Sequence, residues 1–308
     1  MKLAFIFPGQ GAQSVGMGKD LYEKYEEIKE VYAKASNIAG MDIAKLSFDS
    51  EESELFQTQN TQIAILTMSI AILEVLKKHE IRAQYTAGLS LGEYSALYCG
   101  GAIDFENVIK IVKKRGELMQ NLVPNGEWAM AAILGLENSV VEEVCQNITE
   151  GFVVPANYNC PGQVAISGDR KGVQLAMEKL KEAGAKRCLE LKTAGPFHTI
   201  KLQKASDELR KELENIEIKM PDIEVIKNID AKPYAQGENR KEILANHVIH
   251  PVRFSDSIQY MIKSGVNTFV EIGPGKTLTG FVKKIDKNLN CIHINNVETL
   301  ENAIQNLK

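Results

Sequence analysis

The chain has 308 residues, of which 44% are hydrophobic and 25% charged, with a formal net charge of −4. That balance belongs to a folded globular enzyme of about two domains and excludes a disordered or fibrous chain, while the negative charge gives no ground for nucleic-acid binding. The five scattered cysteines (Cys99, Cys145, Cys160, Cys188, Cys291) contain no CxxC pair, so no metal is expected and a reducing cytoplasmic setting is.

Leu3–Phe7 reads as a buried strand, ended by Pro8-Gly9-Gln10-Gly11 and too short for a secretory leader. Ile63–Lys78 has apolar residues at helical spacing. Its apolar run, Ile63–Leu76, is shorter than the ~20 residues of a membrane span and carries Thr67, Ser69 and Glu74, so no membrane association is expected. Gln84–Ala87 reads as a short strand, Glu93–Tyr98 as helical and Phe105–Gln120 as a longer helix.

After the breaker Pro124-Asn125-Gly126 the pattern gives a strand (Trp128–Leu134), a helix (Ser139–Gln146) and a strand (Phe152–Asn157). A turn at Asn159-Cys160-Pro161-Gly162 leads to a strand (Gln163–Ser167), a helix (Gly172–Ala183) and a strand (Arg187–Leu191). That β-α-β-β-α-β order is the ferredoxin-like split unit. Gly195-Pro196 returns the chain to the larger part, where Thr268–Ile272 and Cys291–Ile294 read as strands among helices. The expected organisation is an α/β domain made of 1–124 and 196–308, with 125–195 inserted as a small domain.

Gly88-Leu89-Ser90-Leu91-Gly92 fits G-x-S-x-G between a strand and a helix, the context in which a tight turn lifts a nucleophilic serine into reach. The other reading of Ser90 is a helix cap. The N–H groups at that helix start would face a developing oxyanion, and Pro8-Gly9-Gln10-Gly11 is the candidate for a second donor. Neither glycine-rich stretch holds a nucleotide. A third glycine of G-x-G-x-x-G would fall on Ser14, and the first glycine required before Gly275-Lys276-Thr277 falls on Val270.

A serine nucleophile needs a base that titrates near neutrality, and five histidines are present. His79 follows Lys77 and Lys78 at a helix end and reads as solvent-facing, and His293 sits within a strand. His198 follows Gly195-Pro196-Phe197, where the inserted unit rejoins the larger one, and is favoured by that position; His247 and His250 remain alternatives.

Arg115 falls on the apolar face of its helix, seven residues after Val108, four after Ile111, three after Val112 and four before Met119. A buried guanidinium needs a partner. Either it closes an internal salt bridge, or it grips a substrate carboxylate through two parallel hydrogen bonds. Arg170–Lys204 holds nine Lys or Arg against three Glu, a local excess of +6 in an acidic chain. It is either an ordinary solvated face or a docking surface for an acidic partner.

Taken in order, these segments resemble the malonyl-CoA:acyl-carrier-protein transacylase family of fatty-acid synthesis. The matching stretches are Phe7–Gly11, GLSLGEYS at Gly88–Ser95, Lys114-Arg115 with Met119, Met130–Ala132, Tyr158–Gln163, Gly195–His198, His250–Val252 and Glu271–Gly275. The resemblance implies an α/β-hydrolase-like large domain with a ferredoxin-like insert, and a ping-pong reaction. His198 would take the Ser90 proton and Ser90 would attack the malonyl thioester, with backbone N–H groups of Gln10 and Leu91 holding the oxyanion.

Arg115 would bind the malonyl carboxylate, Met119 and Asn159 would line the substrate site, and Phe197 would narrow the space for an α-methyl group. No cofactor is implied. Malonyl-CoA is a substrate, and the partner is a holo acyl carrier protein bringing its own 4'-phosphopantetheine to a monomeric enzyme. Leu89 departs from the family's usual histidine before the serine. His247 stands where the family commonly has glutamine, a position whose backbone carbonyl orients the base, and its ring could shift the pKa of His198 if charged. The rival readings are an acyltransferase serving a polyketide synthase, a serine esterase and a non-catalytic carrier-binding module.

Overall fold

The structure is a computed structural model that describes residues 1–192 and 195–307. Thr193 and Ala194, within the expected insert, and Lys308, at the end of the larger span, lie outside the described residues. The described strands are β1 (Leu3–Phe7), β2 (Tyr85–Gly88), β3 (Trp128–Leu134), β4 (Val153–Cys160), β5 (Gln163–Asp169), β6 (Arg187–Glu190), β7 (Glu224–Ile226), β8 (Thr268–Ile272) and β9 (Asn290–Ile294). They form a five-stranded parallel sheet in the order β7-β2-β1-β8-β9 and a separate four-stranded antiparallel sheet in the order β4-β5-β3-β6.

All five residues of β1 are buried, as a central parallel strand covered on both faces requires. Side chains alternate between the faces. Leu3, Phe5 and Phe7 join the core formed with helices Glu26–Ala39, Thr58–Lys78 and Phe105–Asn121. Ala4 and Ile6 join the core formed with helices Phe254–Lys263 and Thr277–Ile285.

Helix Thr58–Lys78 begins five residues before the start that apolar spacing placed at Ile63. Thr58, Thr61 and Gln62 are polar yet buried, so periodicity does not register them. At 21 residues the helix is long and apolar enough to cross a membrane, but 83% of its apolar window is buried inside the protein, which makes it a core helix.

The small sheet follows the expected element order, with helices Asn138–Gln146 and Arg170–Glu182 between its strands. One boundary is corrected. β4 continues through Asn159 to Cys160, leaving Pro161-Gly162 as the turn, with Gly162 at φ 70°. The register of β4 slips between Pro155 and Asn157 and again between Tyr158 and Cys160. Such irregularities re-aim side chains beside active sites, and Asn157 and Asn159 both face the cavity described below. The small sheet is tied to the large domain where Tyr158 N–H donates to the carbonyl of Val252, in the loop before helix Phe254–Lys263, and Val252 N–H donates to the Ala156 carbonyl, both at 2.8 Å. His79 is half-buried at its helix end and not freely solvent-facing.

Candidate active site

The turn after β2 carries Ser90 at φ 53° and leads into helix Gly92–Cys99. A left-handed backbone at a non-glycine residue costs about 1–3 kcal/mol and persists only where its surroundings impose it. The imposition is visible at Gly88, where an added Cβ would lie 1.9 Å from the carbonyl carbon of Gly92, and at Gly9, where it would lie 2.3 Å from the Leu89 oxygen. The turn is thus clamped against the loop after β1. His198 is also left-handed, at φ 60°, in the loop ahead of the short helix Ile200–Leu202, and its N–H donates to the Val248 carbonyl at 3.1 Å.

These two strained residues meet, with Ser90 Oγ 2.8 Å from His198 Nε2. On the far side of the ring, Nδ1 lies 3.1 Å from the carbonyl oxygens of both His247 and His250. Carbonyls only accept, so the proton sits on Nδ1 and the Nε2 lone pair faces the serine. The second carbonyl, from His250, was not anticipated, because a backbone acceptor leaves no side-chain signature. Burial chiefly, and the Arg115 charge next, push the His198 pKa down to about 4, with the two carbonyl bonds opposing. Burial also holds His247 well below its ordinary value, so its ring is neutral at neutral pH and places no charge beside His198.

Arg115 lies on the buried face of helix Phe105–Asn121 with Val108, Ile111, Val112 and Met119, and is 1% exposed. Its Nη1 donates to Gln62 Oε1 at 2.6 Å, and its Nη2 donates to Ser90 Oγ at 3.2 Å. Its Nε has no partner, and among the described residues Arg115 forms no salt bridge. Of the two readings of this residue, the internal ion pair is therefore not found. A buried cation held by neutral groups and aimed at a serine oxygen is ready for an anion.

Ser90, His198, Arg115, Gln10, Leu91, Met119, Asn159 and Phe197 all line one cavity of about 400 Å³ between the two sheets; His247 sits behind His198, outside it. The backbone N–H groups of Gln10 and Leu91 have no hydrogen-bond acceptor among the described residues. The Ser90 N–H, by contrast, is taken by Asn228 Oδ1 at 2.7 Å. Among the described residues no group of three or more His, Cys, Asp or Glu side chains could hold a metal.

Gln62, Asn228, Glu93 and Tyr234 were not singled out from the sequence. Gln62 carried a usable signal, a polar residue on the buried side of a helix. Asn228 follows β7, which at three residues is too short to show a period.

Residues 4–301 match the acyl transferase domain family. A malonyl CoA-acyl carrier protein transacylase of Bacillus subtilis (strain 168) is 46% identical over 309 residues, covering 100% of this chain and 98% of the relative. The transacylase of Haemophilus influenzae is 41% identical, covering 99% and 98%. Among solved structures, the transacylase of Clostridium perfringens superposes with a TM-score of 0.95 at 44% identity, covering 100% of this chain and 97% of that one. A malonyl-transacylase solved in complex with a type II polyketide synthase acyl carrier protein superposes with a TM-score of 0.96 at 38% identity, covering 99% and 100%.

Proposed function

This chain belongs to the acyl transferase family, and from that membership we propose that it moves malonyl groups from malonyl-CoA to the thiol of a holo acyl carrier protein, supplying fatty-acid elongation. The observation that carries the choice of acyl group is the Arg115 guanidinium, buried, without an anionic partner and 3.2 Å from Ser90 Oγ. In a malonyl thioester the carboxylate is only two carbon–carbon bonds from the carbonyl under attack. A cation beside the nucleophile suits that short spacing.

In this scheme His198 Nε2 takes the Ser90 proton as Oγ attacks the thioester carbonyl. The N–H groups of Gln10 and Leu91 hold the oxyanion. The C–S bond then breaks, and His198 returns its proton to the departing coenzyme A thiolate. The carrier's phosphopantetheine thiol reverses the sequence, giving its proton to His198 as its sulfur displaces Ser90. The His247 and His250 carbonyls keep the imidazole in the required tautomer, Met119 and Asn159 shape the substrate end, and Phe197 limits an α-substituent.

The large sheet and its helices are read as α/β-hydrolase-like, built from 1–124 and 196–308, with the ferredoxin-like insert at 125–195. The protein is taken to be a cytoplasmic monomer without a resident cofactor.

A neutral base is the active one, and lowering its pKa extends activity toward acid. kcat/KM for malonyl-CoA should therefore stay level from about pH 8 to about pH 5.5 and fall only toward the His198 value of about 4. An inflection at the ordinary 6.5 would place the imidazole in solvent.

The carrier is assigned to the basic face. Arg170 pairs with Glu127 and Glu190, and Lys171 with Glu150. Lys186 and Arg187 are exposed and form no salt bridge among the described residues, at the start of β6, which leads to Leu191 and Lys192 at the cavity. The test is malonyl transfer from malonyl-CoA to holo and apo carrier. Transfer to holo alone, with the carrier KM raised about tenfold by Lys186→Glu with Arg187→Glu and the malonyl-CoA KM unchanged, is expected. Transfer only to water would replace the transacylase with a hydrolase, and an unmoved carrier KM would remove this face from docking.

A further inference from the structure

Behind the serine turn lies a buried carboxylate that the reaction does not consume. Glu93 is the second residue of helix Gly92–Cys99 and is 0% exposed. Its Oε1 accepts from the Tyr234 hydroxyl at 2.5 Å, and its Oε2 accepts the Asn228 N–H at 3.0 Å. Asn228 in turn holds the turn from two sides, with Oδ1 accepting the Ser90 N–H and Nδ2 donating to the Gly88 carbonyl, both at 2.7 Å. The same Glu93 Oε2 lies 3.5 Å from Nδ1 of His247, the residue whose carbonyl orients His198. One carboxylate thus lies against both halves of the reacting pair, hydrogen-bonded to the serine turn through Asn228 and packed 3.5 Å from the His247 ring nitrogen without a hydrogen bond to it.

A buried carboxyl is costly unless its bonds are specific, and here burial pushes Glu93 up to about 7 against the opposing bonds from Tyr234 and Asn228. The strained backbone at Ser90 and His198 needs an outside constraint, and the network supplies one that spans more than 100 residues of chain. It also occupies the Ser90 N–H, leaving Leu91 as the free donor at the helix start.

We propose that Glu93 is a positioning residue that, through Asn228 and His247, fixes the serine turn and the histidine loop in one frame. The proposal rests on the acyltransferase reading. It predicts loss of Ser90 reactivity toward every electrophile, without loss of substrate affinity.

The test measures two rates in the full-length protein, inactivation of Ser90 by phenylmethylsulfonyl fluoride and formation of the malonyl adduct from malonyl-CoA. Glu93→Leu keeps the bulk and removes both acceptors, and should slow both reactions by about 10²-fold with the malonyl-CoA KM unchanged, the size expected for misplacing reacting groups by about an ångström. Glu93→Gln can still accept from Asn228 and donate to the Tyr234 oxygen, and should stay within about threefold of wild type. Asn228→Ala cuts the link to the turn and should slow both reactions about tenfold or more.

Should Glu93→Leu fail to fold, Asn228→Ala and Glu93→Gln decide the matter. Folded Glu93→Leu or Asn228→Ala protein as reactive as wild type within twofold, or a loss confined to KM, overturns the proposal. A wild type that is sulfonylated at Ser90 but never malonylated refutes the acyltransferase reading alone, because the sulfonylation rates still judge Glu93.

Discussion

Arg115→Ala should lower malonyl transfer by about 10²- to 4 × 10³-fold while transfer of uncharged acetyl is kept or rises. The size follows from removing one partner of a buried charge pair, about 3–5 kcal/mol, at about 1.4 kcal/mol per factor of ten. The selectivity follows from the geometry. Without substrate the guanidinium is hydrogen-bonded to Gln62 and Ser90 and packed against the Tyr94 ring, with no carboxylate in contact with it among the described residues and only the more distant charge of Glu93 opposing its own. Its desolvation is offset further when a carboxylate comes into direct contact, and malonyl provides one where acetyl does not. Removing it also takes away the positive charge that helps depress His198, which gives a neutral acyl group an equally competent base. Initial rates with malonyl-CoA and acetyl-CoA on one preparation check this; equal losses for both would make Arg115 structural.

His198→Ala should reduce the rate of Ser90 acylation by about 10⁴-fold or more, with little change in the malonyl-CoA KM. The imidazole is the described base nearest the serine, 2.8 Å from Oγ, and its tautomer is set by two carbonyl oxygens in place of a carboxylate. Arg115 remains to hold the hydroxyl and bind substrate, so the loss should fall on the chemical step. Single-turnover rates at saturating malonyl-CoA separate the two effects, and a loss that appeared only in KM would mean that His198 binds substrate without serving as base.

Much of this arrangement was legible in the residues because it is written in local patterns. The apolar run Leu3–Phe7 could be little else than a central strand, the glycines around Ser90 announced a tight turn, and the spacing to Val108, Ile111, Val112 and Met119 put Arg115 on a buried face. What escaped was held by contacts distant in sequence. Asn228 meets Glu93 and Gly88 across 135 and 140 residues, and no local period connects them. Gln62 escaped because the start of its helix is buried yet polar. The His250 carbonyl escaped because every residue has one.

The most direct test of the central claim is the intact mass of the protein after brief exposure to malonyl-CoA, for wild type and Ser90→Ala, followed by holo carrier protein. A malonyl adduct on wild type alone, discharged to the carrier faster than to water, is the predicted result. No adduct, or the same adduct on Ser90→Ala, would contradict a malonyl group carried on Ser90.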